Sequence, residues 1–188
     1  MKRLDLVVGP NGSGKSTFAE QRLAPLLPLN VFVNADEIAK ERWSDSPEEH
    51  SYEAAQIAAT IRNTLIDHGE SFIAETVFSH PSKLEIVNRA HQSGYIVVLH
   101  VMLVPVELSV ARVAERVIEG GHHVPENKIR ERFARLWPLV AEAIRRADQS
   151  VVYDNTAPDR TRIAARYTEG DLVSRPNWPV WTPAELTG

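Results

Sequence analysis

Short apolar segments alternate with longer amphipathic segments along most of the chain. The apolar segments predict strands at residues 4–8, 31–33, 72–74, 95–104 and 150–153. Between them, apolar positions recur at helical spacing and predict helices at residues 15–28, 47–68, 82–92, 108–118 and 126–147, with a further helix start near Asp36. Because strands and helices alternate, we expect an α/β fold, a three-layer sandwich around a five-stranded, mostly parallel sheet.

The longest of the early predicted helices begins with a capping signal. Ser46 is followed by Pro47 and Glu49, which together have the form of a capping box with proline at the first helical position. The chain beyond residue 170 is different, because it is rich in proline and tryptophan and has no helical or strand periodicity. We therefore expect one domain over residues 1–170 and a tail over residues 171–188 that packs on it, where Trp178 and Trp181 bury open surface.

The composition narrows the classes of protein that the chain can represent. No apolar run is long enough to cross a membrane, and the first residues lack the features of a signal peptide, so we expect a cytoplasmic protein. The chain has no cysteine, which excludes disulfides, thiolate metal sites and cysteine nucleophiles. Its net charge of -4 gives no support to broad nucleic-acid binding.

A phosphate-binding motif lies between the first predicted strand and the first predicted helix. It matches G-x-x-x-x-G-K-[ST], the phosphate loop of P-loop NTPases, and comprises Gly9, Pro10, Asn11, Gly12, Ser13, Gly14, Lys15, Ser16 and Thr17. Backbone N–H groups of such a loop surround phosphate oxygens at the positive end of a helix dipole. The motif predicts binding of ATP or GTP, with Lys15 on the β- and γ-phosphates and the Ser16 hydroxyl on Mg²⁺. The sequence contains neither the LSGGQ-like signature of ABC transporter ATPases nor the N-K-x-D motif of GTPases.

Polar residues follow the second and third predicted strands, at the sheet edge where parallel sheets bind their ligands. Asp36 is the first choice for a carboxylate that deprotonates an acceptor hydroxyl, and its alternative role is to cap the following helix. Glu75 and Thr76 come at the end of the third predicted strand. For Glu75 we expect a contact to the substrate or to a Mg²⁺-bound water, and a structural acceptor at a strand end is the alternative. These positions suit phosphoryl transfer.

An arginine-rich helical pair follows the fourth predicted strand and has the form of a hinged lid over about residues 108–147. Its arginines flank Gly120 and Gly121 and are Arg112, Arg116, Arg130, Arg132 and Arg135. Arginine forks match phosphate geometry, so we expect some of these side chains to contact a triphosphate, while others are solvated helix charges. His122 and His123 lack further metal ligands at a suitable spacing and are expected to be lid residues.

A polar turn, Asp154-Asn155-Thr156, follows the fifth predicted strand. Its position at a strand end leads us to expect that Asn155 contacts the base of the nucleotide. A plain turn without ligand contacts is the alternative, since aspartate, asparagine and threonine all favour turns for local reasons.

Several segments together resemble the zeta-toxin-like P-loop kinases, the family whose toxin members phosphorylate UDP-N-acetylglucosamine. The segments are GPNGSGKST, FVNADEIA, FIAETVFS, RVAERVIEGGHHVPENKIRERFAR and VVYDNT, and they cover roughly residues 4–156. The resemblance implies that Lys15 and Ser16 hold phosphate and magnesium. It also implies that Asp36 is the base for a sugar 3'-hydroxyl, and that Glu75 and Thr76 lie in the substrate-facing segment.

The same resemblance implies two lid arginines on the γ-phosphate and a protein partner. Arg116 and Arg130 are the best matches to the two lid arginines, although Arg112 and Arg132 lie close enough to leave the register open. Toxin members of the family are neutralised by a small helical antitoxin, which makes such a protein a candidate partner here.

These observations lead to a preferred hypothesis and two alternatives. The preferred hypothesis is an ATP- and Mg²⁺-dependent kinase that transfers the γ-phosphate to a hydroxyl of a sugar nucleotide such as UDP-N-acetylglucosamine. The first alternative is a kinase for another acceptor, such as an antibiotic, a sugar, a nucleoside or a polynucleotide end. The second is a nucleotide-dependent regulatory ATPase that phosphorylates no acceptor.

Overall fold

A computed structural model describes residues 1–118, 124–157 and 160–188. Within these ranges, the strands are β1 (Lys2–Val8), β2 (Val31–Val33), β3 (Phe72–Thr76), β4 (Tyr95–Leu103), β5 (Gln149–Ala157), β6 (Arg160–Thr168) and β7 (Asp171–Leu172). The α-helices are α1 (Lys15–Phe18), α2 (Ala35–Arg42), α3 (Ser51–His68), α4 (Leu84–Gln92), α5 (Val106–Ile118), α6 (Glu126–Arg146) and α7 (Ala184–Thr187). A π-helix at Ala19–Leu23 continues α1, and a 3-10 helix at Pro81–Lys83 precedes α4.

The described strands form a sheet in the order β2-β3-β1-β4-β5-β6-β7. The strands from β2 to β5 in this order pair in parallel, and β6 and β7 extend one edge in antiparallel orientation. The predicted fold class is therefore confirmed, but the sheet has seven strands in the described residues rather than five. Val7 of β1 pairs with Glu75 of β3, and Val8 pairs with Thr76, so the chain leaves β1 directly beside these two polar residues.

Helices cover both faces of the sheet, and the alternating side chains of β1 separate the two apolar clusters. Leu4, Leu6 and Val8 belong to the larger cluster, in which residues of α3, α4 and α6 pack on the sheet. Val7 points to the other face and packs with Phe18 and with residues of the π-helix. A sheet between two helical layers is the three-layer arrangement that the alternating pattern predicts.

Two of the predicted helices differ from the observed ones, one in where it begins and the other in its length. The helix α3 begins at Ser51 with His50 at its N-cap, so the predicted capping box at Ser46 does not start it. The segment expected to be helical over residues 15–28 is a four-residue α-helix followed by a π-helix that ends at Leu23. The π-helix still buries Ala19 and Leu23 against the sheet, so the packing face of the segment is retained.

The residues after 170 lie against the rest of the chain. Asp171–Leu172 forms β7 beside β6, and α7 contacts α6. Trp178 and Trp181 pack against the larger apolar cluster, which is the burial expected for them. The domain boundary at residue 170 stays a prediction. Among the helices in the described ranges, none is long and apolar enough to span a membrane.

Candidate functional site

The loop between β1 and α1 has a backbone shape that only glycine adopts easily. Gly14 is left-handed, with a φ of 83°, and stands at the N-cap of α1. A Cβ atom at Gly14 would lie 2.5 Å from the side-chain nitrogen of Asn155, and one at Gly9 would lie 2.6 Å from the Met102 carbonyl oxygen. Both glycines are therefore required by positive φ and by close approach of neighbouring groups.

Asn155 at the end of β5 is hydrogen-bonded to the phosphate loop. Its side-chain nitrogen donates to the Ser13 carbonyl oxygen over 2.9 Å. Its side-chain oxygen accepts a hydrogen bond from the Thr161 hydroxyl over 2.8 Å. Both ends of the amide are therefore engaged, and the contact that the structure assigns to Asn155 is with the loop backbone. The base contact expected from the sequence remains untested.

The helix α5 is hydrogen-bonded both to the phosphate loop and to the end of β5. The Ser109 hydroxyl, which is buried, donates a hydrogen bond to the Asn11 carbonyl oxygen. The Arg112 guanidinium donates to the carbonyl oxygens of Asn155 and Thr156 over 3.0 and 3.1 Å. A serine inside an amphipathic helix has no distinctive sequence pattern, so Ser109 is not among the predicted site residues. Arg112 is predicted only as one of several lid arginines.

Lys15 and Glu75 form a buried pair beside the phosphate loop. Lys15 is 6% exposed. Its ammonium donates a hydrogen bond to the Pro10 carbonyl oxygen over 2.9 Å and lies 3.8 Å from a carboxylate oxygen of Glu75. Burial lowers the pKa of Lys15, against the opposing effect of the Glu75 charge. Burial also raises the pKa of Glu75, and the Lys15 charge and a hydrogen bond with Ser16 oppose that rise. Glu75 is thus adjacent to both side chains that the motif assigns to phosphate and Mg²⁺.

Asp36 lies in the first turn of α2 and faces the same site. The cap of α2 is Asn34, whose side-chain oxygen accepts a hydrogen bond from the Asp36 N–H over 2.8 Å. The Asn34 amide nitrogen also donates to Glu75 over 2.7 Å, which links the two acidic residues. The Asp36 charge acts on both Lys15 and Glu75. The capping role that was the alternative for Asp36 therefore belongs to Asn34.

Two of the predicted lid arginines, one on α5 and one on α6, lie close enough to Lys15 for their charges to act on it. Arg116 and Arg132 line the cavity, and their charges add to the effect of burial in lowering the pKa of the phosphate-loop lysine. Arg130 does not line it, because its guanidinium binds Glu107 over 2.8 Å and Glu126 over 2.9 Å. Residues two positions apart on a helix point in directions about 200° apart, so Arg130 and Arg132 face different sides of α6. The structure brings Arg116 to the site and leaves Arg130 outside it.

The remaining residues of the predicted lid divide into two groups. Gly120, Gly121, His122 and His123 lie outside the described residues. Arg135 is exposed and does not line the cavity. The part of the lid that the structure describes therefore contributes Arg112, Arg116 and Arg132 to the cavity wall.

These groups surround one cavity of about 1320 Å³. Small-molecule sites usually measure about 300–1,000 Å³, so this cavity has room for a donor and an acceptor together. Its lining includes the phosphate loop, Thr76, Phe78 and residues of α3. Thr76, which the sequence analysis placed on the substrate side, is therefore in the same cavity as Lys15 and Asp36.

The residues of the loop suit a nucleotide phosphate and Mg²⁺. The Asn11 side-chain oxygen and the Ser13 hydroxyl are buried without a hydrogen-bond partner among the described residues, which leaves polar atoms for a ligand. Ser16 and Glu75 supply hard oxygen donors, and Mg²⁺ commonly combines one or two such groups with waters and phosphate oxygens. In the described ranges, no three histidine, aspartate or glutamate side chains are grouped to hold a metal by themselves.

Comparison with known proteins gives one family and one relative by sequence. The model of the Zeta toxin family matches residues 1–169. An uncharacterized protein of Haemophilus influenzae is 28% identical over 126 residues, which cover 66% of this chain and 88% of that protein. The family match includes the phosphate loop, both acidic residues and the described part of the lid.

Two solved structures have the same fold at low sequence identity. One is a chain from the PezAT chromosomal toxin-antitoxin system of Streptococcus pneumoniae, with a TM-score of 0.66 and 16% identity over 88% of this chain and 71% of that chain. The other comes from the AvrRxo1-ORF1:-ORF2 complex with ATP, with a TM-score of 0.72 and 17% identity. That match covers 94% of this chain but 61% of the AvrRxo1 chain, so this chain spans less than two thirds of it. Because the family model matches residues 1–169, the chain belongs to the Zeta toxin family and is a nucleotide-dependent phosphotransferase of the P-loop kinase class.

Proposed function

We propose that this chain transfers the γ-phosphate of ATP, with Mg²⁺, to a hydroxyl of a sugar nucleotide such as UDP-N-acetylglucosamine. The observation that carries the proposal is the placement of Asp36 and Glu75 in one cavity with the phosphate-loop residue Lys15. A kinase needs a carboxylate for the acceptor hydroxyl beside a group that holds the donor phosphates. The family resemblance and the size of the cavity support a sugar nucleotide as the acceptor.

The donor half of the reaction rests on the phosphate loop. Backbone N–H groups of the loop bind the phosphates, and Lys15 binds the β- and γ-phosphate oxygens. Bound Mg²⁺ would neutralise charge on these oxygens, with Ser16 as its ligand. Glu75 orients the groups around it, because it already contacts Lys15, Ser16 and Asn34.

Asp36 carries the acceptor half of the reaction. Its carboxylate accepts the proton of the acceptor hydroxyl while the hydroxyl oxygen forms a bond to the γ-phosphorus. The bond between the γ-phosphorus and the bridging oxygen breaks, and ADP leaves with that oxygen. Asn34 fixes the backbone of Asp36, so the carboxylate is held at the end of a short helix rather than on a free loop.

Arg116 and Arg132 are the lid arginines that we propose for the γ-phosphate. Both line the cavity, and both act electrostatically on Lys15. Arg132 takes the place that the family resemblance had suggested for Arg130. Guanidinium groups in this position stabilise the charge that develops on the transferred phosphoryl group.

Product analysis tests the proposal. The protein is incubated with ATP, Mg²⁺ and UDP-N-acetylglucosamine, and mass spectrometry is used to look for a sugar nucleotide that has gained one phosphate. A metabolite extract and a panel of sugars, nucleosides, antibiotics and polynucleotide ends are assayed in parallel. Phosphorylation of another compound in place of the sugar nucleotide would correct the acceptor, while phosphate release without any phosphorylated product would favour a regulatory ATPase.

A protein partner is a separate part of the proposal. The PezAT structure is described as part of a toxin-antitoxin system, and its chain has the same fold as this one. We propose that a small antitoxin protein binds this chain and inhibits transfer by covering the cavity. Affinity purification of the tagged chain from its native host, followed by the transfer assay with the co-purified protein, tests for such an inhibitor. A co-purified protein that leaves transfer unchanged would contradict this part.

A further inference from the structure

The cavity also reaches the neighbouring ends of β5 and β6. Asn155 lines it near the end of β5, and Arg160 and Thr161 line it at the start of β6. The phosphate loop follows β1, and in the sheet β3 and β2 lie on one side of β1, while β4, β5 and β6 lie on the other. Asp36 and Glu75 come from the β2 and β3 side. The cavity therefore extends from the phosphate loop toward both sides of the sheet.

Hydrogen bonds hold the ends of β5 and β6 against the phosphate loop. The Asn155 amide donates to the Ser13 carbonyl oxygen, and the Thr161 hydroxyl donates to the Asn155 side-chain oxygen. The Arg112 guanidinium donates to the main-chain carbonyl oxygens of Asn155 and Thr156. The polar groups that β5 and β6 bring to this part of the cavity are thus engaged with the loop or with one another.

Arg160 differs from these neighbours because its guanidinium is not engaged. The side chain is exposed, and no hydrogen bond or ion pair joins it to another residue of the described ranges. It nevertheless lines the cavity, next to Thr161 in the chain. A guanidinium is a weakly hydrated planar group whose faces stack on rings, so it is suited to contact an aromatic part of a ligand.

We propose that the Arg160 guanidinium stacks on the base of the donor nucleotide, and that the site accepts ATP and GTP alike. The inference rests on the proposed function, in which the acceptor hydroxyl lies at Asp36. In-line transfer puts the attacking and leaving oxygens on opposite sides of the γ-phosphorus. The donor nucleotide therefore extends away from Asp36 and from β2 and β3, and its base lies toward the ends of β5 and β6.

The tolerance for both bases follows from the kind of contact. Every base has a π-face, so stacking does not distinguish adenine from guanine. Discrimination between them needs hydrogen bonds to the edge of the base. The Asn155 amide and the Thr161 hydroxyl could make such bonds, but each already donates to a group of the protein. Arg160 is left to hold the base by its face.

Ligands that share the phosphates and differ in the rest test the inference without catalysis. Calorimetric titration with Mg²⁺ measures the Kd of the non-hydrolysable imido analogues of ATP and GTP, of ribose 5-triphosphate and of inorganic tripolyphosphate. The two nucleotide analogues should bind the wild-type protein within about threefold of each other. Arg160→Met should weaken both roughly 3- to 30-fold, because it loses the stacked cation. The two ligands without a base should keep their Kd values.

Arg166→Met is the matched control. Arg166 is also an exposed arginine on β6, but it does not line the cavity. Its replacement should leave the Kd values of all four ligands unchanged. A loss of affinity for the nucleotide analogues as large as that in Arg160→Met would overturn the inference, because it would come from the charge of β6 as a whole.

Each alternative contact of Arg160 has its own result. An equal loss for all four ligands would assign the side chain to the phosphates, and a loss shared by ribose 5-triphosphate but not by tripolyphosphate would assign it to the ribose. Either result would overturn the inference, as would unchanged Kd values for both nucleotide analogues. A wild-type protein that binds one nucleotide analogue about tenfold or more tightly than the other would overturn the tolerance for both bases.

The inference and the proposed function fail in different ways. If both are correct, the wild-type protein transfers phosphate from ATP and from GTP with similar kcat/KM, and Arg160→Met raises both KM values. If no acceptor is phosphorylated but Arg160→Met still loses affinity only for ligands with a base, the base contact stands and the kinase falls. If transfer occurs and Arg160→Met leaves both KM values unchanged, the kinase stands and the inference falls.

Discussion

Replacement of Asn155 with alanine tests how the phosphate loop is held. The substitution removes the hydrogen bond to the Ser13 carbonyl and the one from Thr161. Each neutral hydrogen bond contributes about 0.5–1.5 kcal/mol net, so the loop loses about 1–3 kcal/mol of support. If nucleotide binding must supply the free energy that orders the loop in the variant, the Kd of the nucleotide rises by a factor of about 5 to 150. A water molecule that fills the space left by the amide would bring the effect toward the lower limit.

The assay compares ATP with GTP, because the two nucleotides share their phosphates and differ in the base. Calorimetric titration should show the same fold loss for both in Asn155→Ala, since the loop contacts only the phosphates. Thr161→Val removes one of the two bonds and should cause about half of the loss in free energy. Asn88→Ala is the control, because Asn88 binds Arg146 on the exposed surface. A loss for ATP with GTP binding unaffected would refute the loop-support role and favour a contact between Asn155 and the base.

Three further predictions follow from individual contacts. Burial acts to raise the pKa of Asp5, but its hydrogen bonds with His100 and Arg3 outweigh burial and hold that pKa below its ordinary value. The stability that these bonds add is therefore present above the ordinary pKa of aspartate and is lost as the pH falls through the lowered one. Urea unfolding at a series of pH values from about 6 to about 3 should therefore show a weaker acid dependence in Asp5→Asn. Transfer kinetics should show a kcat about 100-fold lower for Arg132→Gln, while Arg130→Gln keeps the wild-type kcat. Similar kcat values for the two variants would contradict the assignment of Arg132 to the γ-phosphate. Gly14→Ala should reduce ATP affinity more than Asn155→Ala in equilibrium titration, because it adds a clash at 2.5 Å to a φ of 83°.

The parts of the molecule predicted correctly from the sequence have local signals. The phosphate loop follows from glycine spacing and from its place between a strand and a helix, and the central strand β4 follows from a long apolar run. The order of strands and helices then indicates a parallel sheet. Asp36 and Glu75 could be placed at one sheet edge because the carboxyl ends of parallel strands meet there.

The parts that were missed depend on contacts between distant segments. The buried side chains of β6 are the two adjacent residues Ala164 and Ala165, so the strand lacks the apolar alternation that identifies a strand in a sequence. The choice between Arg130 and Arg132 depends on the rotation of α6 about its axis, which the position of its charges along the sequence does not define. The burial of Arg62 was not apparent either, since one arginine in an amphipathic helix has the pattern of a solvated charge.

The residue that caps α2 could not be identified from the sequence either, although the two candidates are close together in the chain. The Asn34 side chain caps α2 and holds Glu75, which is 41 residues further along the chain. The sequence analysis considered a cap at this position only as the alternative role of Asp36, although asparagine caps a helix as well as aspartate does. Only the backbone geometry decides which of the two caps the helix and which faces the cavity.

The fate of the γ-phosphate in an Asp36 variant tests the central claim most directly. ATP labelled at the γ-phosphate is incubated with Mg²⁺, a metabolite extract and either the wild-type protein, Asp36→Asn or the control Asp45→Asn, whose side chain is exposed and outside the cavity. We predict that label moves to an organic acceptor with the wild-type protein and Asp45→Asn. With Asp36→Asn, transfer should fall at least about 100-fold while the Kd of ATP changes little. Equal transfer by Asp36→Asn, or label found only in inorganic phosphate for all three proteins, would contradict the account.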